Sequence, residues 1–155
     1  MLLKADILNT GYEVLFIGLT GAFFAQVLKF FINLIVNKKV DFKLFTTTGG
    51  MPSSHSSGVV GIATAVGIIK GYSSVEFAIA MGYALVVMYD AAGLRRASGK
   101  MAVCLNKIMD DFYKHEVQAV GGKLKELLGH TPVEVFCGAL LGVVYAYFIH
   151  FRVLS

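Results

Sequence analysis

Gly49-Gly50-Met51-Pro52-Ser53-Ser54-His55-Ser56-Ser57 is a polar, glycine-rich turn that runs directly into an apolar segment, Val59 to Ile69. The junction reads as a loop opening a membrane-embedded helix. The two glycines let backbone N–H groups approach an anion. Pro52 or Ser53 is placed to start a helix whose first amides lack partners and whose dipole end is positive. Ser53, Ser54, Ser56 and Ser57 add hydroxyl donors, and His55 adds a group that exchanges a proton near neutral pH. This set of residues suits phosphate binding combined with proton transfer. It also suits a plain helix cap in a serine-rich loop.

Working outward, composition sets the class. Of 155 residues, 56% are hydrophobic and 15% charged, and the mean hydropathy is +0.69. Soluble domains carry about 25% charged residues. The chain is therefore expected to be an all-α, polytopic membrane helical bundle forming one domain over residues 1–155. The net charge of +4 suits anionic lipid head groups. Without a long basic run, it does not point to nucleic acid. Cys104 and Cys137 are too few and too apolar in setting for a disulfide framework or a metal site, and read as reduced packing residues.

Four membrane spans are expected: Gly11 to Val36, Ser53 to Ile69, Val75 to Leu94, and Val133 to Phe151. The second is short and rich in small residues, so its serine turn would sit at head-group depth. Lys29 interrupts the first span, and an ionisable residue inside a span marks a functional site or snorkels to the surface. At the end of the third span come Asp90, Arg95 and Arg96. Paired arginines anchor helices in the interface, but arginine is also the best bidentate phosphate ligand, and Asp90 would orient one of them. Ser98 to Gln118 has the period of an amphipathic surface helix, with Met101, Cys104, Leu105, Ile108 and Phe112 on one side. A second amphipathic piece, Ala119 to Leu128, follows. His130 and Glu134, four residues apart, share one helix face, where a carboxylate fixes the imidazole tautomer and raises its basicity. Gly138 and Gly142 form a G-x-x-x-G pair that would serve an internal helix contact or a homodimer.

With alternating spans, Lys29, His55, Arg95, Arg96 and His130 all fall at one membrane face. That side carries Lys38, Lys39, Lys43, Lys100, Lys107, Lys114, Lys123 and Lys125 besides the arginines, against Lys4, Lys70 and Arg152 on the other. The positive-inside rule then places the shared face in the cytoplasm, in a multi-pass protein of the cell membrane.

Met51-Pro52-Ser53-Ser54-His55-Ser56 resembles the P-S-G-H motif of the type-2 phosphatidic-acid phosphatase superfamily. Gly129-His130-Thr131-Pro132-Val133-Glu134-Val135, followed by Gly138, resembles its G-x-H-x-x-x-D-V motif. From Lys29 to Gly142 the chain is similar to the small divergent membrane branch described as acid phosphatase/vanadium-dependent haloperoxidase-related. Ser54 stands where the superfamily has glycine, and Glu134 where it has aspartate. The resemblance implies a phosphorylated lipid as substrate and metal-free, cofactor-free phosphoryl transfer. In it His130 is the nucleophile, Glu134 its orienting carboxylate and His55 the acid for the leaving alcohol. Lys29, Gly50, Ser53, Ser54, Arg95 and Arg96 would hold the phosphate. The alternative is a non-catalytic membrane protein that binds phosphorylated lipid or supports a complex.

Overall fold

Hydroxyl caps open the apolar helices. Thr10 accepts the Tyr12 amide at 3.2 Å ahead of α1, Gly11–Asn37, and Ser53 accepts the Ser56 amide at 3.3 Å ahead of α2, Ser54–Lys70. Ser74 accepts the Phe77 amide at 3.1 Å to start α3, Val75–Ala92, which α4, Leu94–Tyr113, follows. Thr131 caps α5, Pro132–Phe148, with proline in the first turn, and Glu134 returns to the Thr131 N–H to complete a capping box. A π-helical turn, Ile149–Leu154, continues α5. These elements belong to a computed structural model that describes residues 6–38, 40, 49–113 and 129–155.

A helix of 17 residues lies in the middle. Helix α2 packs against α1, α3 and α5, and buries Ser56, Ser57, Gly58, Val60, Gly61, Ala63, Thr64, Ala65 and Gly67. Small residues on so many sides let three neighbours approach its backbone, which is how helices associate where lipid removes the hydrophobic drive. At about 1.5 Å per residue α2 spans roughly 26 Å, a little less than a bilayer core of about 30 Å. The stretches Gly11–Val36, Val75–Asp111 and Pro132–Leu154 are long and apolar enough to cross. Their outward residues, among them Leu19, Phe23, Ile79, Val86, Phe136, Leu140 and Val144, are exposed large apolar groups that suit lipid contact.

Gly138 and Gly142 face α2. A Cβ on Gly138 would collide with the Ser53 carbonyl, and one on Gly142 with the Ser57 carbonyl and the Gly61 nitrogen. Of the two uses open to this pair, the structure shows the internal contact, so these glycines are not a free face for a second copy of the chain.

The α3–α4 junction differs from expectation. The surface helix starts at Leu94 instead of Ser98, because Gly93 continues the hydrogen bonding: its N–H donates to Tyr89 (2.8 Å) and its carbonyl accepts from Ala97 (2.9 Å). The expected apolar stripe is real, for Met101, Leu105 and Ile108 are all exposed along α4. Cys104 is exposed on the same helix and is not a packing residue, whereas Cys137 is half-buried. The expected piece from Ala119 to Leu128 lies outside the described residues.

Helix directions alternate, so the ends of α1 and α3 stand beside the starts of α2 and α5. At the opposite end of the bundle His150 Nδ1 lies 2.5 Å from Glu13 Oε1, and both residues are buried.

Candidate functional site

Backbone hydrogen bonds join the three chain segments that carry the motifs. The Ser53 N–H donates to the Glu134 carbonyl at 3.1 Å, and the His130 N–H donates to the Ala91 carbonyl at 3.1 Å. The start of α2, the end of α3 and the start of α5 thus meet through main chain, so the meeting does not depend on flexible side chains. The cap at Ser53 also fixes two further hydroxyls. Ser56 Oγ donates to Ser53 Oγ at 3.0 Å, and Ser57 Oγ donates across to the Gly21 carbonyl of α1 at 3.1 Å.

Lys29 reaches this corner from α1. It is only 3% exposed, and its stem lies along the glycine turn: a Cβ on Gly50 would stand 3.3 Å from Lys29 Cδ. Gly49 (φ 104°) and Gly50 (φ 80°) occupy the left-handed region that side chains disfavour. The turn therefore needs glycine both for its conformation and for room beside the lysine. Lys29 is close enough to Glu134 for their charges to attract. A buried ammonium with one carboxylate nearby tolerates an incoming anion well, since the anion supplies further compensation for its desolvation.

His130 is 3% exposed. Its Nδ1 is 2.9 Å from Glu134 Oε2, and that oxygen also accepts the Thr131 N–H at 3.3 Å. An ionised carboxylate only accepts, so in the neutral ring Nδ1 carries the proton and Nε2 presents a lone pair. Nε2 is buried and makes no hydrogen bond among the described residues. A buried polar atom left without a partner costs stability unless something binds there, and functional sites are where such atoms occur.

The structure brings together Lys29, Gly50, Ser53, His130 and Glu134. Asp90 adjoins Ala91, the residue bonded to His130, and is half-buried. Arg95 and Arg96 lie in the first turn of α4, and their side chains are outside the described residues. Of the residues the sequence put at the start of α2, Ser53 is buried with Ser56 and Ser57 on the inward face, Ser54 is half-buried and His55 is exposed. Sequence reasoning missed Glu13 and His150, which lie 137 positions apart with no local pattern to join them. Among the described residues no three His, Cys, Asp or Glu side chains converge as a metal-ligand group. The groups that do converge are the Lys29 ammonium, the Ser53 hydroxyl and an imidazole backed by the Glu134 carboxylate, in which the ammonium, the hydroxyl and the bare Nε2 are suited to meet a phosphoryl group.

The Divergent PAP2 family matches residues 10–145. The chain is 43% identical over 145 residues to the uncharacterized membrane protein YuiD of Bacillus subtilis strain 168, covering 84% of this chain and 92% of that protein. No solved structure matches. The matched region contains both motif-bearing helix starts, Lys29 and the glycine contacts between α2 and α5. This helical membrane chain belongs to the divergent PAP2 family.

Proposed function

We propose that the protein is an integral membrane phosphatase that hydrolyses a phosphomonoester lipid through a phosphohistidine. The observation that carries this reading is the asymmetry at His130: Nδ1 held by Glu134, Nε2 buried and unpartnered. In this mechanism the Nε2 lone pair attacks phosphorus in line, and the bond from phosphorus to the lipid oxygen breaks. His55 gives the departing oxygen its proton. Water then gives a proton back to His55 as it attacks the phosphoryl group, and the P–N bond breaks, returning neutral His130 and inorganic phosphate. Lys29, the Gly50 amide, the Ser53 and Ser54 hydroxyls and the Arg95–Arg96 pair stabilise charge on the phosphoryl oxygens. Glu134 keeps the tautomer and stabilises the cationic phosphohistidine. Membrane association comes from the apolar helices, and the site faces the cytoplasm of a multi-pass cell-membrane protein.

The exposed position of His55 favours one other reading. Without an acid beside the leaving oxygen, the same pocket would bind phosphorylated lipid and not cleave it. Purified protein incubated with short-chain phosphatidate separates the two. Release of inorganic phosphate, inhibited by vanadate and unaffected by chelators, is expected for the phosphatase. Saturable lipid binding with no phosphate release would replace it with the binding protein. Loss of activity in EDTA, regained with a divalent metal, would overturn the metal-free mechanism.

A further inference from the structure

A cavity of about 710 Å³ lies at the end of the bundle away from His130, among the start of α1, the end of α2 and the start of α3. Its walls include Tyr12 and Val14 from α1, Val66 and Ile69 from α2, and two charged residues, Lys70 and Glu76. Lys70 is the last residue of α2, and Glu76 stands in the first turn of α3. Both are exposed. They line one cavity, yet among the described residues neither side chain makes an ion pair or a hydrogen bond.

The aromatic residues nearby set the depth of this rim. Tyr72 lies in the turn between the two charges, and its hydroxyl is 2.8 Å from that of Tyr147 near the end of α5. Rings with one polar end collect where hydrocarbon meets head groups. Val14 and Val66 lie about one helical turn deeper, within the apolar runs of α1 and α2. The cavity therefore has charges of both signs at head-group level and an aliphatic wall below them.

We propose that this cavity binds a phospholipid whose head group carries both a phosphodiester and an amine, of the phosphatidylethanolamine type. The Lys70 ammonium meets the phosphodiester, the Glu76 carboxylate meets the head-group amine, and an acyl chain lies along Val14, Val66 and Ile69. A purely anionic head group would bring like charge against Glu76, and an uncharged one would gain nothing from either residue. Exposed charge pairs are weak, so they supply preference among lipids more than affinity. The bound lipid is not a substrate, because it sits at the opposite end of α2 from His130. Its effect is to bridge α1 and α3, which each pack on α2. The proposal stands whether or not the His130 corner cleaves a phosphomonoester.

The chain contains no tryptophan, so Tyr12→Trp puts a single fluorophore on the cavity wall. Phe23→Trp, at an exposed position further along α1, is the control. Each protein is placed in bilayers of phosphatidylglycerol and phosphatidylethanolamine in which one lipid or the other has brominated, quenching chains. At Tyr12→Trp, phosphatidylethanolamine is expected to be preferred about fivefold, near the most that one exposed charge pair supplies. At Phe23→Trp no preference is expected. Added to the Tyr12→Trp chain, Glu76→Gln is expected to remove the preference, and Lys70→Gln to weaken quenching by both lipids. A Cβ on Gly11, which also lines the cavity, meets nothing within 4 Å, so Gly11→Leu is expected to fill the space and reduce quenching to the control level. All three changes are at exposed positions, and helical circular dichroism checks that each bundle remains folded. Equal quenching by the two lipids at Tyr12→Trp would overturn the proposal, as would a preference that survives Glu76→Gln or quenching that Lys70→Gln leaves unchanged. The same preference at Phe23→Trp would overturn it too, because it would belong to the surrounding lipid in general. Quenching at Tyr12→Trp no stronger than the control with either lipid would mean that protein fills the cavity, and would also overturn it.

Discussion

A carboxylate on Nδ1 and a bare, buried Nε2 make His130 and Glu134 separable by mutation. His130→Ala removes the attacking atom, so phosphate release is expected to fall to background in protein that still folds. Glu134→Gln keeps the ring in place but loses the charge that fixes its tautomer, and an activity drop on the order of 10³-fold with measurable residue is expected. Initial rates on both variants check this; wild-type rates in His130→Ala would rule out the phosphohistidine. The pair was legible in the sequence because four residues on a helix is one turn, and because Thr131 and Pro132 mark that helix's start. Lys29 was legible because a charge in an apolar run is costly. Glu13 and His150 were not. Each looks like an interfacial residue until the first and last helices are laid side by side.

At the scale of elements, the glycines of α5 and the glycine of α3 have opposite roles. Gly138 sits so close to Ser53 that an added Cβ must push α5 away from α2, whereas a Cβ on Gly82 meets nothing within 4 Å. Gly138→Ala is expected to destabilise the bundle by about 1–3 kcal/mol. Gly82→Ala is expected to be neutral or to stabilise by about 0.5–1 kcal/mol, since it only removes chain entropy from a helix. Thermal unfolding in detergent, followed by helical circular dichroism, compares the two. Because the Gly138 contact carries Ser53 toward Glu134, the same variant is expected to lose activity at temperatures where it remains folded. Helix spans were legible from hydropathy, and the structure adds the hydroxyl caps Thr10, Ser53, Ser74 and Thr131 that fix where each run starts. The start of α4 was not, because the amphipathic period is recognisable only from Ser98, whereas the Ala97 N–H already donates to the Gly93 carbonyl.

At the scale of the whole molecule, sidedness decides which lipids the site can meet. The parity of four spans put Lys29, His55, Arg95, Arg96 and His130 at one membrane face; in the structure Lys29, Gly50, Ser53, His130 and Glu134 gather at one end of the bundle. Parity does not say which leaflet that end faces. The charge distribution does bear on it, since the sequence between α1 and α2 carries Lys38, Lys39 and Lys43 and that between α4 and α5 carries Lys123 and Lys125, whereas the far end of α2 carries Lys70. Basic loops resist translocation and attract the anionic inner leaflet, so the site is expected to be cytoplasmic. Lipid phosphomonoesters made on that leaflet, phosphatidate among them, then become better substrates than carrier-lipid phosphates recycled outside. A chain with both native cysteines replaced and one new cysteine at Lys43 or Lys123 is expected to resist impermeant thiol reagents in intact cells and to react after lysis. A cysteine at Ser73, in the turn between α2 and α3, is expected to react without lysis. The reverse pattern would place His130 outside and turn the substrate search toward prenyl phosphates, with the chemistry at Nε2 unchanged.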